Sequence, residues 1–219
     1  MSEMRRELSL SDLENELRRA LAGPLPGPEA QLLLAPRPRV GWKPGEWPPD
    51  CRHSGALLLL YPLEGKPYLL LTLRDAALQN HAGQVSLPGG AVEPGESYDQ
   101  AALREAREEV GIEPERVRLL GALTPLHVPI SRFVVHPWLG VTDSRPRFRP
   151  ERGEVARVLE VPLDDLRDPA RLGLERRRFR SGEMDVPFFK LDGEKVWGAT
   201  GIILAEFLAV LGYSPAPWN

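Results

Sequence analysis

A mixed α/β fold, one sheet flanked by helices, is what this sequence predicts, and three observations carry the prediction. Short β-prone runs alternate with two helix-length segments between residues 53 and 211, the pattern of a sheet covered by helices. The chain of 219 residues, 42% hydrophobic and 27% charged, is long enough to close a full core and has an ordinary compositional balance. Its longest apolar stretch, Ala199 to Leu211, carries Glu206 and falls short of the roughly 20 residues that span a bilayer, so it reads as a buried helix.

An amphipathic helix opens the chain: Ser11 and Glu14 form a capping box, Leu10, Leu13, Leu17 and Leu21 the apolar stripe, and Gly23-Pro24 the stop. Its expected role is packing or dimerisation. Prolines recur from Gly23 to Asp50, which predicts an extended connector that wraps the core without regular structure. Trp42 and Trp47 lie in it, where they either stack on an adenine or pin the segment to the core; pinning is the reading carried forward. Residues 1–50 are thus expected to form the helix and connector, and 51–214 the main domain. Strand signals follow at Gly55 to Tyr61 and Tyr68 to Leu73 around the turn-prone Pro62-Leu63-Glu64-Gly65, then at Val117 to Leu123, Phe133 to Thr142, Val155 to Val161 and Val186 to Leu191. Helices are expected at Ser97 to Val110 and Ala199 to Leu211.

A formal charge of -3 and a pI near 5.9 give no global attraction to nucleic acid or an anionic membrane, and neither is an expected partner. An anionic substrate must be met locally. Cys51 is the only cysteine, which excludes an internal disulfide and a cysteine-based zinc cluster. The first 20 residues mix acids and bases without an apolar run, so a cytoplasmic location is expected.

The helix at Ser97 to Val110 has both ends written into it: Ser97 with Gln100 at the start, Gly111-Ile112 at the end. Ala102, Leu103, Ala106 and Val110 make its apolar face. Glu105, Glu108 and Glu109 stand at i, i+3 and i+4, where like charges repel by about 0.2–0.5 kcal/mol per pair. Something positive should sit among them: Arg104 or Arg107, or a hard cation such as Mg²⁺ or Mn²⁺. Taken alone, the charges also fit a solvated surface.

The run from Gly89 to Ile112, GGAVEPGESYDQAALREAREEVGI, resembles the Nudix box, with Gly90, Glu96, Arg104, Glu105, Glu108, Glu109, Gly111 and Ile112 in place. Ala106 is smaller than the aliphatic residue the pattern prefers. The resemblance implies a Nudix hydrolase: an α/β/α sandwich around a mixed sheet that cleaves a pyrophosphate bond in a nucleotide derivative with Mg²⁺ or Mn²⁺. The implied metal ligands are Glu105, Glu108 and Glu109. Arg104 would orient and neutralise them, Gly89 and Gly90 would let backbone approach the phosphates, and Glu96 would order the loop. For the general base the candidates are Glu105 and Glu154, the latter being otherwise a surface glutamate.

A second stretch, Leu69 to Gly90, resembles the motif upstream of the box in the coenzyme A pyrophosphatase subgroup, matching at Leu70, Leu71, Thr72, Arg74, Leu78, His81, Gly83, Gln84, Val85, Pro88, Gly89 and Gly90. Asp75 and Leu87 replace serine and phenylalanine. This resemblance implies cleavage of coenzyme A, or an acyl or oxidised form, to 3′,5′-ADP and 4′-phosphopantetheine, with Arg74 on a phosphate and His81 and Gln84 on the substrate loop. The bland alternatives are a hydrogen-bonded structural His81 and an Arg74 paired with Asp75 or Asp99. ADP-ribose or another nucleoside-diphosphate derivative is the rival substrate, and a non-catalytic binding module the rival class. His53, His127 and His136 are scattered in the sequence and read as structural.

Overall fold

The computed structural model describes residues 9–38, 45–78, 81–179 and 182–215. The first helix, α1 (Leu10–Leu21), is capped one turn's edge earlier than expected: Ser9 Oγ accepts from the Asp12 amide at 3.1 Å. Glu14 is drawn away from the cap by Arg18 and Arg118, which bind its carboxylate at 2.8 and 2.9 Å. Leu13 and Leu17 are fully buried within the chain's own core, so the stripe serves packing. Leu17→Ala should cost about 2–5 kcal/mol, because its cavity lies between helix and sheet; urea denaturation reads the loss.

The connector is less extended than its prolines suggest. It folds into α2 (Gly27–Gln31) and a 3-10 turn (Leu32–Leu34), since Pro28 falls in the first helical turn, where a missing N–H costs nothing. Gln31 is buried and donates to Glu206 Oε2 at 2.9 Å, while the Thr124 amide donates to Glu206 Oε1 at 3.1 Å. The acid in the apolar helix α5 (Gly198–Val210) thus has a partner on each oxygen. Trp42 lies outside the described residues, and Trp47 is half-buried.

The central strand β1 (Arg52–Leu63) is apolar on both faces because it is covered on both. Leu57, Leu59 and Tyr61 pack with α3 (Tyr98–Val110), and Leu58 and Leu60 with α1 and α5. β1 runs into β2 (Lys66–Arg74) through a tighter turn than expected, Glu64-Gly65, with Leu63 paired to Lys66. Positive φ at both turn residues, 52° and 78°, matches the twist of a two-residue hairpin. The other strands are β3 (Val85–Ser86), β4 (Gly89–Ala91), β5 (Arg118–Ala122), β6 (Leu126–Val128), β7 (Phe133–Val141) and β8 (Val155–Pro162).

These eight form one mixed sheet with the path β3-β2-β1-β7-β5; β4 joins β1, β6 joins β7 and β8 joins β2. Only β1 and β7 among these pairs run parallel. A one-turn helix α4 (Leu163–Leu166) leads to a second sheet of β9 (Leu172–Phe179), β10 (Gly182–Leu191) and β11 (Glu194–Val196). Its Phe189, Leu191 and Val196 fill the core on the α5 side. The result is the α/β/α sandwich expected from the resemblance.

Candidate active site

Glycines set how closely α3 lies on the sheet. Gly55 of β1 pairs with Gly90 of β4, and Ala56 with Gly89. A Cβ on Gly55 would stand 2.2 Å from the Tyr98 carbonyl oxygen and 2.6 Å from the Ala102 nitrogen. A Cβ on Gly90 would stand 2.2 Å from Glu105 Oε1. The glycine strand is therefore the floor on which the Glu105 carboxylate rests.

α3 is fixed at its start by Gln100 Oε1, which accepts from the Ser97 amide at 2.9 Å, while the Ser97 hydroxyl donates to Asp99 at 2.6 Å. At its end Gly111, φ 74°, lets the Ile112 amide reach back to the Ala106 carbonyl at 3.2 Å. The loop beyond seals the remaining carbonyls: Arg149 N donates to Val110 and Glu151 N to Glu109, both at 2.8 Å.

Arg104 is the positive charge required among the glutamates. Its guanidinium donates to Glu96 at 2.9 and 3.2 Å, to Glu105 Oε1 at 2.9 Å, to Glu108 Oε2 at 3.0 Å and to the Ala91 carbonyl at 2.9 Å. Helix, glycine strand and Glu96 loop are thereby tied to one side chain. Its bonds hold Glu96 below the usual carboxylate range. Glu108 is the outermost acid, with 58% of its side chain exposed.

Glu109 points inward and is 4% exposed. Burial pushes its carboxyl up to about 8, against the pull of Arg74 and the Gly89 amide, and Glu105 and Glu154 add to the rise. Burial likewise raises Glu105, with Glu108 and Glu154 contributing and Arg104 opposing. Glu154, some 45 residues along the chain from α3, is therefore brought beside the helix glutamates. It arrives there through the Asp75 amide, which donates to the Glu154 carbonyl at 2.8 Å, and through a register shift at Leu73/Arg74 where β2 meets β8.

Arg74 approaches Glu109 at 3.8 Å, so its acidic neighbour is neither Asp75 nor Asp99. Asp75 is occupied with its own turn, its Oδ1 accepting from the Ala77 amide at 2.8 Å. A serine there could make the same turn, which accounts for the substitution. Leu87 is buried in the core, a change of packing alone. His81 and Gln84 meet each other, Nδ1 to Oε1 at 3.0 Å, on a loop whose Gln84 carbonyl accepts from the Arg74 amide. The loop closes on the Arg74 end of β2, where the Gly83 amide in turn donates to the Arg74 carbonyl at 3.2 Å.

Two buried polar atoms in this cluster lack any hydrogen-bond partner: Glu109 Oε2 and Arg74 Nε. An orphaned carboxylate oxygen beside a second acid, Glu105, whose carboxyl is also raised by burial, is a donor set suited to a hard divalent cation. Among the described residues no three acidic, His or Cys side chains are already drawn together as a closed ligand set; Arg104 holds Glu105 and Glu108 instead.

The histidines are less scattered than they look in sequence. His53 Nδ1 lies 2.9 Å from His136 Nε2, and the Tyr98 ring stacks on His136 at 3.6 Å with 4° between planes. The parallel pairing that sets Gly55 opposite His136 brings these residues together from 83 positions apart. Burial lowers His136 to about 4, keeping it neutral. His53 and Tyr98 border a hollow of about 470 Å³ at the start of α3. No local sequence signal announces this arrangement. His127 contacts Cys51 at 3.5 Å.

An acid-bearing helix braced on a glycine strand is the arrangement that the Nudix-box resemblance implies, and the family comparison agrees. Residues 52–181 match the NUDIX domain, and the chain belongs to the Nudix hydrolase family, whose members act on phosphoanhydride bonds and generally use divalent metal such as Mg²⁺ or Mn²⁺. It is 38% identical over 177 residues to the Nudix hydrolase NudL of Pectobacterium atrosepticum, covering 77% of this chain and 90% of that one. With NudL of Photorhabdus laumondii the identity is 34%, covering 80% and 90%. Among solved structures, the MutT protein of Methanosarcina mazei aligns at 18% identity over 74% of this chain and 94% of that one, with a TM-score of 0.49. No described helix is long and apolar enough to cross a membrane.

Proposed function

We propose that this Nudix hydrolase cleaves the diphosphate of coenzyme A, or of an acyl or oxidised form, releasing 3′,5′-ADP and a 4′-phosphopantetheine product, in the cytoplasm. The observation that carries the substrate is the stretch from Leu69 to Gly90. It runs from the strand bearing Arg74, through the His81–Gln84 loop, directly into the glycines beneath Glu105.

Glu105, Glu108 and Glu109 would hold Mg²⁺ or Mn²⁺, which when bound neutralises phosphate oxygens and lowers the pKa of the attacking water. Glu105, on Gly90, and Glu154, whose backbone carbonyl accepts from the Asp75 amide, are the candidates for the proton acceptor. Arg104 keeps Glu105 and Glu108 oriented, and Arg74, whose Nε has no protein partner, meets a phosphate oxygen. Gly89 and Gly90 leave the backbone open to the substrate.

The test is a substrate panel read by mass spectrometry with Mg²⁺ and with Mn²⁺. Coenzyme A should yield 3′,5′-ADP with the highest kcat/KM. Rapid cleavage of ADP-ribose with coenzyme A untouched would replace this reading by its rival within the same chemistry.

A further inference from the structure

We propose that the loop between β7 and β8 carries a second anion site, which receives a phosphate monoester of the substrate apart from the diphosphate that is cut. This rests on the reading of the substrate as coenzyme A, whose ribose bears such a 3′-phosphate; ADP-ribose bears none.

The loop reads Ser-Arg-Pro-Arg-Phe-Arg-Pro-Glu-Arg-Gly-Glu from Ser144 to Glu154. Although irregular, it is fastened along its length. Arg145 binds Glu160 at 2.7 and 2.6 Å, and the same glutamate accepts from Tyr61 at 3.0 Å. Phe148 packs edge-on against the Tyr61 ring at 5.6 Å. Arg149 and Glu151 bond through their amides to the last carbonyls of α3, and the Glu154 carbonyl accepts from Asp75.

On this base stand Arg147, Arg149 and Arg152, all exposed and, among the described residues, without an ion-pair partner. Several exposed arginines elsewhere are engaged, Arg118 with Glu14 and Asp143 and Arg157 with Asp192 and Glu194; Arg107 of α3 is exposed and, like the loop arginines, pairs with no acid among the described residues. The one acid between Arg149 and Arg152 is Glu151, so the local charge stays positive.

Position gives the cluster its meaning. The carbonyl that holds Glu151 belongs to Glu109, and the turn carrying Arg152 ends at Glu154. The loop is thus fastened to the last turn of the helix that carries the acids, with Arg149 against Gly111, where an added Cβ would stand 3.0 Å from the Arg149 Cβ. A substrate whose diphosphate lies at the glutamates can present a further phosphate there, where a guanidinium fork matches its oxygens. Because the backbone is anchored beforehand, less ordering is lost on binding.

The experiment compares wild type with Arg149→Gln, Arg152→Gln and the double variant in two measurements. One is the ratio of kcat/KM for coenzyme A over dephospho-coenzyme A. The other is calorimetric affinity for adenosine 3′,5′-bisphosphate against AMP, in EDTA. Each single change should lower the ratio about tenfold, as expected for a charge-assisted phosphate contact, with a parallel loss of bisphosphate affinity; Arg→Lys should retain part of both. A ratio and an affinity unchanged in the double variant would overturn the proposal, as would a wild type that binds the bisphosphate no better than AMP. If the wild type hydrolyses neither coenzyme A nor its dephospho form, the substrate reading fails, and the bisphosphate affinities alone decide the loop.

Discussion

Glu109→Gln should lower metal-dependent turnover by roughly 10³-fold, about 4 kcal/mol of barrier, while the protein remains folded. The amide keeps the shape of the side chain but removes the charge that a cation needs at Glu109 Oε2, a buried oxygen without a protein partner. Stability should move the other way. In metal-free protein the Glu109 carboxyl is raised from 4.5 to about 8, so between these values the unfolded chain is ionised there while the folded chain holds its proton. Stability therefore falls as pH rises from about 4.5 towards 8 and levels off above, because the folded state binds the extra proton throughout that window. Glutamine has no such proton, so the variant in EDTA should lose this slope and exceed wild type at pH 8 by an amount on the order of a few kcal/mol. Urea denaturation at several pH values, with turnover measured alongside, tests both halves. Identical slopes would mean that Glu109 does not carry the buried proton, and undiminished turnover would remove it from the metal site.

Gly55→Ala should destabilise the protein by about 3 kcal/mol, a fall in Tm of roughly 6–12 °C for a chain of this size. The new methyl would meet the Tyr98 carbonyl oxygen at 2.2 Å and the Ala102 nitrogen at 2.6 Å. Both are backbone of α3, so no rotamer change relieves the overlap and the helix must lift from β1. Lifting it also moves Glu105 from Gly90, so activity should fall further than the lost stability explains. Calorimetry settles it: a Tm within about 2 °C of wild type would show that the helix has slack at this contact.

Much of this was written locally. α3 carries its own start, stop and apolar face within Ser97 to Ile112, and its acids at i, i+3 and i+4 already demand a positive neighbour, which Arg104 supplies. The β1 run was equally legible, since a strand covered on both faces must be apolar throughout. What stayed hidden depends on register. Arg74 meets Glu109 rather than a nearby aspartate because strand pairing and helix placement, not sequence distance, decide neighbours. His53 and His136 come together only through the parallel β1–β7 alignment. The strand β9, Leu-Gly-Leu-Glu-Arg-Arg-Arg-Phe, carries no clear strand signal because it edges a small sheet and its run of charge, with Arg176 and Arg178 exposed, breaks the apolar alternation. The short helix α2 escaped because its prolines suggested extension, whereas one of them sits where a helix tolerates it.

The contact between Gln31 and Glu206 joins segments 175 positions apart, one of them before the stretch that matches the family domain. A carboxylate with no exposed surface depends on that distant amide for one of its oxygens, and neither residue can change alone without leaving a polar atom unanswered inside the protein. Across related chains the two positions should therefore drift as a pair, glutamine with acid or apolar with apolar. The leading segment and the last helix would then have a shared history that a domain boundary drawn near residue 51 would cut in two.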